Sequence, residues 1–249
     1  MPGCQNGRHV GRVVGLWRYP VKSMAGEALP GIEVAWHGFA GDRRWAFIRD
    51  GVTQSGFPWL TLREREDMNR YVPSFVDPAK PDQSPVIVWT PSGAIYDVMD
   101  AVLAAELHPR GARVIKQNRG IFDTFPLSLI TTQSIAMLGE WVGARLDVQR
   151  FRPNILVEAA DLAPFAEDDW VGCVLRIGGM SLRVDKRDGR CAIITIDPLT
   201  TERSPAILRT VAHDRGGCLG VYGSTVQPGR VTVNDLVFIE SVAGSPLAR

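Results

Sequence analysis

Short apolar, β-branched runs separated by turn residues dominate the first half of the chain. HVGRVVGLWRYP (9–20) reads as a strand that ends at Pro20, and GIEVAWHG (31–38) as another bounded by glycines. RRWAFIRDGVTQSG (43–56) holds a strand followed by an Asp50-Gly51 turn, a hairpin signal. SPVIVWTPSGAIYDV (84–98) repeats that pattern around Pro91-Ser92-Gly93. A short helix is predicted over about 99–108, stopped by Pro109. FPLSLITT (125–132) predicts a strand running into a helix over 133–142, with Thr131, Thr132 or Ser134 as cap and Gly143 as terminator. Further strands are predicted at about 147–158, 172–177, 181–187 and 191–196. Ser204-Pro205 opens another helix, and 218–240 returns to strand and turn. Many short strands with regular turns point to a barrel or sandwich carrying a few helices. No internal repeat interrupts the pattern, and a boundary falls near 118–124, NRGIFDT.

Composition narrows the picture. The 249 residues can bury a core as one large domain or two small ones. The formal net charge of +1 provides no global field for nucleic acid or an acidic membrane, so basic clusters have to be read one by one. The four cysteines, at 4, 173, 191 and 218, have neither the C-x-x-C spacing of a zinc ribbon or redox dithiol nor that of a plant-type iron–sulfur cluster. A zinc site built from Cys173, Cys191, Cys218 and His213 finds no support in the spacing. The N-terminal residues lack an apolar leader region, and no stretch reaches membrane-spanning length. The expected compartment is a reducing cytoplasm in which thiols stay free.

Candidate chemistry centres on DGRCAIITIDP (188–198), where Cys191 follows the charged run DKRDGR (185–190) and precedes an apolar stretch read as a strand. An arbitrary cysteine usually packs as a small hydrophobe. Here Lys186, Arg187 and Arg190 lie within five positions, and cations stabilise a thiolate, so Cys191 is a candidate reactive or metal-binding thiol. Four polar clusters fall at element ends: Tyr19-Pro20-Val21-Lys22-Ser23; Asp42-Arg43-Arg44; Thr131, Thr132 and Ser134 at a helix N-terminus; and QRFRPN (149–154), where Pro153 leaves Arg152 and Asn154 projecting. Taken singly, these are solvated charges, helix caps, or an Arg152 paired with Asp147 or Glu158. Together they supply the cations, hydroxyls and helix N-terminus that suit an anionic, phosphate-bearing cofactor beside one soft thiol.

The same motifs, in this order, resemble the MOSC family, named for the C-terminal domain of molybdenum-cofactor sulfurase. Within it the chain is similar to the group containing the mitochondrial amidoxime-reducing component and its bacterial relatives. The resemblance is carried by YPVKS (19–23), DRRW (42–45), PLSLITTQSI (126–135), RFRPNILVE (150–158), RCAIITIDPLT (190–200) and GRVTVNDLV (229–237), and it covers about residues 10–240. It implies a β-rich α+β fold, with a MOSC N-terminal-like β-domain over 1–123 and a MOSC β-barrel domain over 124–249. It also implies a molybdenum cofactor, with Cys191 as catalytic residue and metal ligand. Lys22, Ser23 and Arg43 would contact the cofactor from the first domain, and Thr131, Ser134, Arg152 and Asn154 from the second.

The implied activity is reduction of N–O bonds in small N-hydroxylated or N-oxide substrates, with electrons from a separate redox protein and no nucleic-acid or membrane partner. A sulfur carrier using a Cys191 persulfide, or a non-catalytic cofactor carrier, would use the same residues. Departures from the family pattern are Gly189, where a hydroxyl is usual, Thr201 after Asp197-Pro198-Leu199-Thr200, and Asn234 before Asp235.

Overall fold

The computed structural model describes residues 7–52 and 57–240. Cys4 and the end of the expected 43–56 hairpin lie outside them. Seven strands form a closed barrel: β1 (His9–Arg18), β2 (Leu127–Thr131), β3 (Ile155–Ala159), β4 (Val174–Ile177), β5 (Met180–Gly189), β6 (Cys218–Gln227) and β7 (Leu236–Glu240). The order around the barrel is β3-β2-β6-β5-β4-β7-β1, and pairing of β1 with β3 closes it. Only β2 and β3 are parallel; the helix α2 (Thr132–Val142) makes the crossover between them. Thr131 caps α2 through a bond from Ser134 N, and Gly143 ends it in the left-handed conformation at φ 70°.

Barrel closure explains the inward-facing residues. Val13, Leu16, Leu129, Ile155, Val157, Leu175, Val184, Val221 and Ile239 are buried together in one core, as the period-two alternation of half-covered strands requires. A second core belongs to the first half of the chain, where Phe47, Met68, Tyr71, Val88, Leu103 and Leu107 pack under α1 (Ala101–Leu107) and the small sheets. A third lies under α2 and α3 (Pro205–Arg215), around Leu138, Ile207, Val211 and Leu219.

Several local expectations change in three dimensions. The strand Trp45–Arg49 pairs along its length with Ala112–Lys116, far along the chain. On its other edge it also meets the residues after the Asp50-Gly51 turn, through an antiparallel bridge between Ile48 and Trp59 and bonds from Arg49 N to the Pro58 carbonyl and from Leu60 N to the Phe47 carbonyl. The hairpin around Pro91-Ser92-Gly93 forms as expected, joining Val86–Trp89 to Ile95–Asp97. Residues 147–158 are extended only over Ile155–Ala159; Asp147 accepts from Gln149 N at 2.7 Å and turns the chain into a short 3-10 segment first.

The stretch 191–196 is not a strand. Ala192–Thr195 form a 3-10 turn, with Thr195 Oγ1 donating to the Ala192 carbonyl at 2.7 Å. The charged run before it is no loop either, since β5 extends to Gly189. Nor does the barrel belong to the second half alone, because β1 sits between β7 and β3. Among the described residues no helix is long and apolar enough to cross a membrane.

Candidate functional site

Where β1 finishes and β2 and β3 begin, the first half of the chain covers the barrel's end and leaves a cavity of about 250 Å³. Six of the residues singled out from the sequence line it: Lys22, Ser23, Arg43, Arg152, Asn154 and Cys191. Three of these, Ser23 (φ 70°), Arg43 (φ 48°) and Arg152 (φ 52°), have left-handed backbones, a conformation that non-glycine residues keep only where their surroundings impose it.

Arg43 and Arg152 both pack on the buried ring of Tyr19, their guanidinium carbons 4.5 and 4.3 Å from its centroid. Arg43 is anchored by the buried Asp42 carboxylate and donates to the Arg152 carbonyl at 3.2 Å. Among the described residues Arg152 has no carboxylate partner, and its buried Nη2 has no hydrogen-bond acceptor. Burial lowers its pKa to about 10, so it remains a cation at neutral pH. Two neighbouring guanidiniums, one of them unpaired, form a site that an anion would complete.

Lys22 is buried, donates to the Ile121 carbonyl at 3.0 Å and ion-pairs with Asp123. Its burial holds its pKa below the ordinary value despite the nearby carboxylate. Ser23 follows it on the cavity wall. Asn154 plays a different part from the cations. Its Nδ2 donates to Asp42 Oδ2 at 3.1 Å and to the Trp17 carbonyl at 3.2 Å, while its Oδ1 accepts from Ser128 N at 3.2 Å and from Arg43 at 3.3 Å. It fixes the Arg43 loop to the barrel.

Cys191 is a free, half-buried thiol, held from both sides. Arg190 donates to the Leu219 and Phe151 carbonyls at 2.7 and 2.9 Å. Arg150 donates to the Ile194 carbonyl at 3.3 Å and to Asp197 at 2.7 Å, which fixes the 3-10 turn. Backbone hydrogen bonds from Thr200 and Leu199 hold the Asp197 carboxyl below its ordinary pKa. Cys173 is disulfide-bonded, contrary to the expectation that all thiols are free.

The structure places two groups of expected residues away from the thiol and its cavity. Thr131 and Ser134 do not line the cavity. Their hydroxyls donate to the buried Glu167 carboxylate, each at 2.8 Å, and so finish the start of α2. Lys186 and Arg187 also fail to reach the thiol: Lys186 lies over Phe125, and Arg187 pairs with Asp168.

The cation that does reach Cys191 is Arg63, whose Nη2 is 3.2 Å from Sγ. Sequence reading missed it because 128 residues separate the pair and Arg63 sits in an ordinary charged run, REREDMNR. Asp123 was equally hidden, falling in a stretch that reads as a boundary. Asp188 and Tyr222 complete the floor, both with pKa values raised by burial.

No cluster of three or more His, Cys, Asp or Glu side chains that could hold a bare metal ion exists among the described residues. The donor set suits a metal brought by an organic anion: one free thiol supplies a soft ligand, and the orphaned Arg152 Nη2 with Lys22 and Arg43 supplies the anion contacts.

Comparison with known proteins follows the same division. Residues 10–102 match the model of the MOSC N-terminal beta barrel domain, and residues 116–238 match the MOSC domain. A molybdenum cofactor sulfurase of Caenorhabditis briggsae is 26% identical over 254 aligned positions, covering 88% of this chain and 34% of that protein. Human mitochondrial amidoxime-reducing component 1 is 27% identical over 132 positions, covering 47% of this chain and 37% of that protein. The chain thus spans about a third of the length of these curated relatives. Among solved structures, the YuaD protein of Bacillus subtilis aligns over 93% of this chain and 96% of its own, with 11% identity and a TM-score of 0.48.

Proposed function

For a chain that belongs to the MOSC family, we propose a molybdenum-cofactor-dependent oxidoreductase that reduces N–O bonds of small N-hydroxylated or N-oxide compounds, with Cys191 as the protein ligand of the metal. The observation that supports this reading is the presence, in one cavity, of a free thiol and of an Arg152 guanidinium whose buried Nη2 has no acceptor among the described residues. A soft donor and an anion holder are separate requirements, and a metal held by a phosphate-bearing pterin needs both.

When bound, the cofactor would supply two-electron reduction of the substrate's N–O bond. The chain's own residues bind and orient. Lys22, Ser23, Arg43 and Arg152 hold the anionic cofactor, and Asn154 keeps Arg43 and Asp42 in register with the barrel. Cys191 offers its sulfur from a turn that Arg150 and Arg190 immobilise, so little reorganisation is needed for ligation. Reducing equivalents would come from a separate redox protein.

The test is to purify the protein from a host that makes the cofactor, then measure molybdenum, pterin and turnover of an N-hydroxylated substrate with a chemical electron donor. Near-stoichiometric metal and pterin with turnover are expected. Metal-free, pterin-free protein carrying labile sulfur on Cys191 would replace this reading with a sulfur carrier. Loaded protein without turnover would leave only a cofactor carrier.

A further inference from the structure

The contact between Arg63 and Cys191 crosses from the first half of the chain to the barrel's thiol, and its supports are local and rigid. Thr61, fully buried, begins a turn in which Glu64 Oε2 accepts from Thr61 N at 2.9 Å and from its hydroxyl at 2.7 Å. Arg63 N donates back to Thr61 Oγ1 at 3.2 Å, so the backbone that launches the guanidinium is fixed. The guanidinium then lies over the Phe57 ring, 5.2 Å from its centroid, with Nη2 3.8 Å from Asp123 Oδ2 and 3.2 Å from Cys191 Sγ. Asp123 is engaged by Lys22 as well, so the sulfur is the nearer acceptor for Arg63.

Cys191 itself supplies little restraint on its side chain. Its backbone is extended, at φ −125° and ψ −177°, where more than one staggered χ1 is open to a small side chain. The Arg63 bond is the one hydrogen bond that fixes Sγ among the described residues.

We propose that Arg63 is the positioning residue for Cys191: it selects the Sγ rotamer that faces the cavity, so the first half of the chain sets the geometry of the barrel's thiol. Its functional consequence rests on the reading of Cys191 as metal ligand, whereas the rotamer itself does not. The planar guanidinium suits this task because it can meet the sulfur and the carboxylate at once from a ring-stacked stem.

Two variants of the full chain separate positioning from packing. Arg63→Lys keeps a cationic donor, and Arg63→Met keeps the stem over Phe57 without a donor. Crystal structures of both, and of the wild type, in cofactor-free form read the Sγ position directly. Molybdenum content, melting temperature and the electron paramagnetic resonance signal of Mo(V) are read on protein from a cofactor-competent host. One Sγ position is expected in wild type and Arg63→Lys and several in Arg63→Met, with melting temperatures within about 3 °C of each other. Loaded Arg63→Met should keep its molybdenum, show a broadened Mo(V) signal, and lose on the order of tenfold in kcat with little change in KM.

A single, wild-type Sγ position in Arg63→Met, or identical behaviour of the two variants, overturns the proposal. Wild type that takes up no molybdenum would defeat the functional reading alone, since the cofactor-free crystals still decide the role of Arg63.

Discussion

Asn154 Nδ2 donates to Asp42 Oδ2 at 3.1 Å, across 112 residues of sequence, and both side chains are fully buried. That bond joins the loop carrying Arg43 to the start of β3, which carries Arg152 just before it. Asp42 also accepts from Tyr19 N at 2.7 Å, so one carboxylate organises the shared aromatic ring and the first of the two guanidiniums packed on it. Asn154→Ala should therefore lower stability by about 1–3 kcal/mol, because buried donors and acceptors lose their partners. Chemical denaturation measures this, and cofactor content should fall with it. A change below the error of the midpoint would mean that the loop is held by other contacts.

Cys191→Ser should leave the fold intact. The thiol is half-buried and its turn is anchored through Arg190 and Arg150, so the melting temperature should shift by less than about 3 °C. Turnover and the metal's spectrum should change sharply, since a hydroxyl is a harder ligand. Cys218→Ser, at the other free cysteine among the described residues, is the control and should behave as wild type. Equal loss in both would show that Cys191 has no special role.

Burial lowers the Lys22 pKa below the ordinary 10.5, and this has a signed consequence for stability. Between the lowered native value and 10.5 the unfolded chain binds a proton that the folded chain does not. Stability contributed by this group therefore rises with pH through that window, and the desolvation penalty is fully present below it. Lys22→Met should abolish that part of the rise. Urea unfolding of both proteins across the neutral-to-alkaline range provides the comparison, with identical slopes counting against it.

Two glycines beside the site should respond in opposite ways. A side chain at Gly189 meets nothing within 4 Å, so Gly189→Ser should be accepted within about 0.5 kcal/mol and place a hydroxyl two residues before the thiol. Gly220 has φ +74°, and a Cβ there would lie 2.8 Å from the Leu129 carbonyl oxygen. Gly220→Ala should cost about 1–3 kcal/mol, as a strained backbone meeting another strand requires. Thermal melts of the pair would settle the order.

A fragment of residues 124–249 lacks β1 and so leaves the facing edges of β3 and β7 without their shared partner. Open strand edges beside an exposed core favour association. The fragment should aggregate or remain unfolded, as light scattering and amide dispersion would report. A monomeric, well-dispersed fragment would show that β1 is dispensable to the barrel.

The sequence by itself determined the β-rich class, the stop of α2 at Gly143 with its cap among Thr131, Thr132 and Ser134, and the hairpin at 91–93, because these depend on residues within a few positions of each other. It also marked six of the cavity residues, since Lys22, Ser23, Arg43, Arg152, Asn154 and Cys191 lie in short ordered motifs at element ends. Only the tertiary structure decided which polar groups already had partners. Thr131 and Ser134 look like anion contacts at a helix start until Glu167, more than thirty residues away, is found to occupy them. Arg63 looks like surface charge until the fold carries it to Cys191, and β1 looks like part of a separate unit until it closes the barrel. Each reversal has the same cause. Hydrogen-bond satisfaction and strand pairing between distant segments leave no periodic trace in the local pattern of apolar and polar residues.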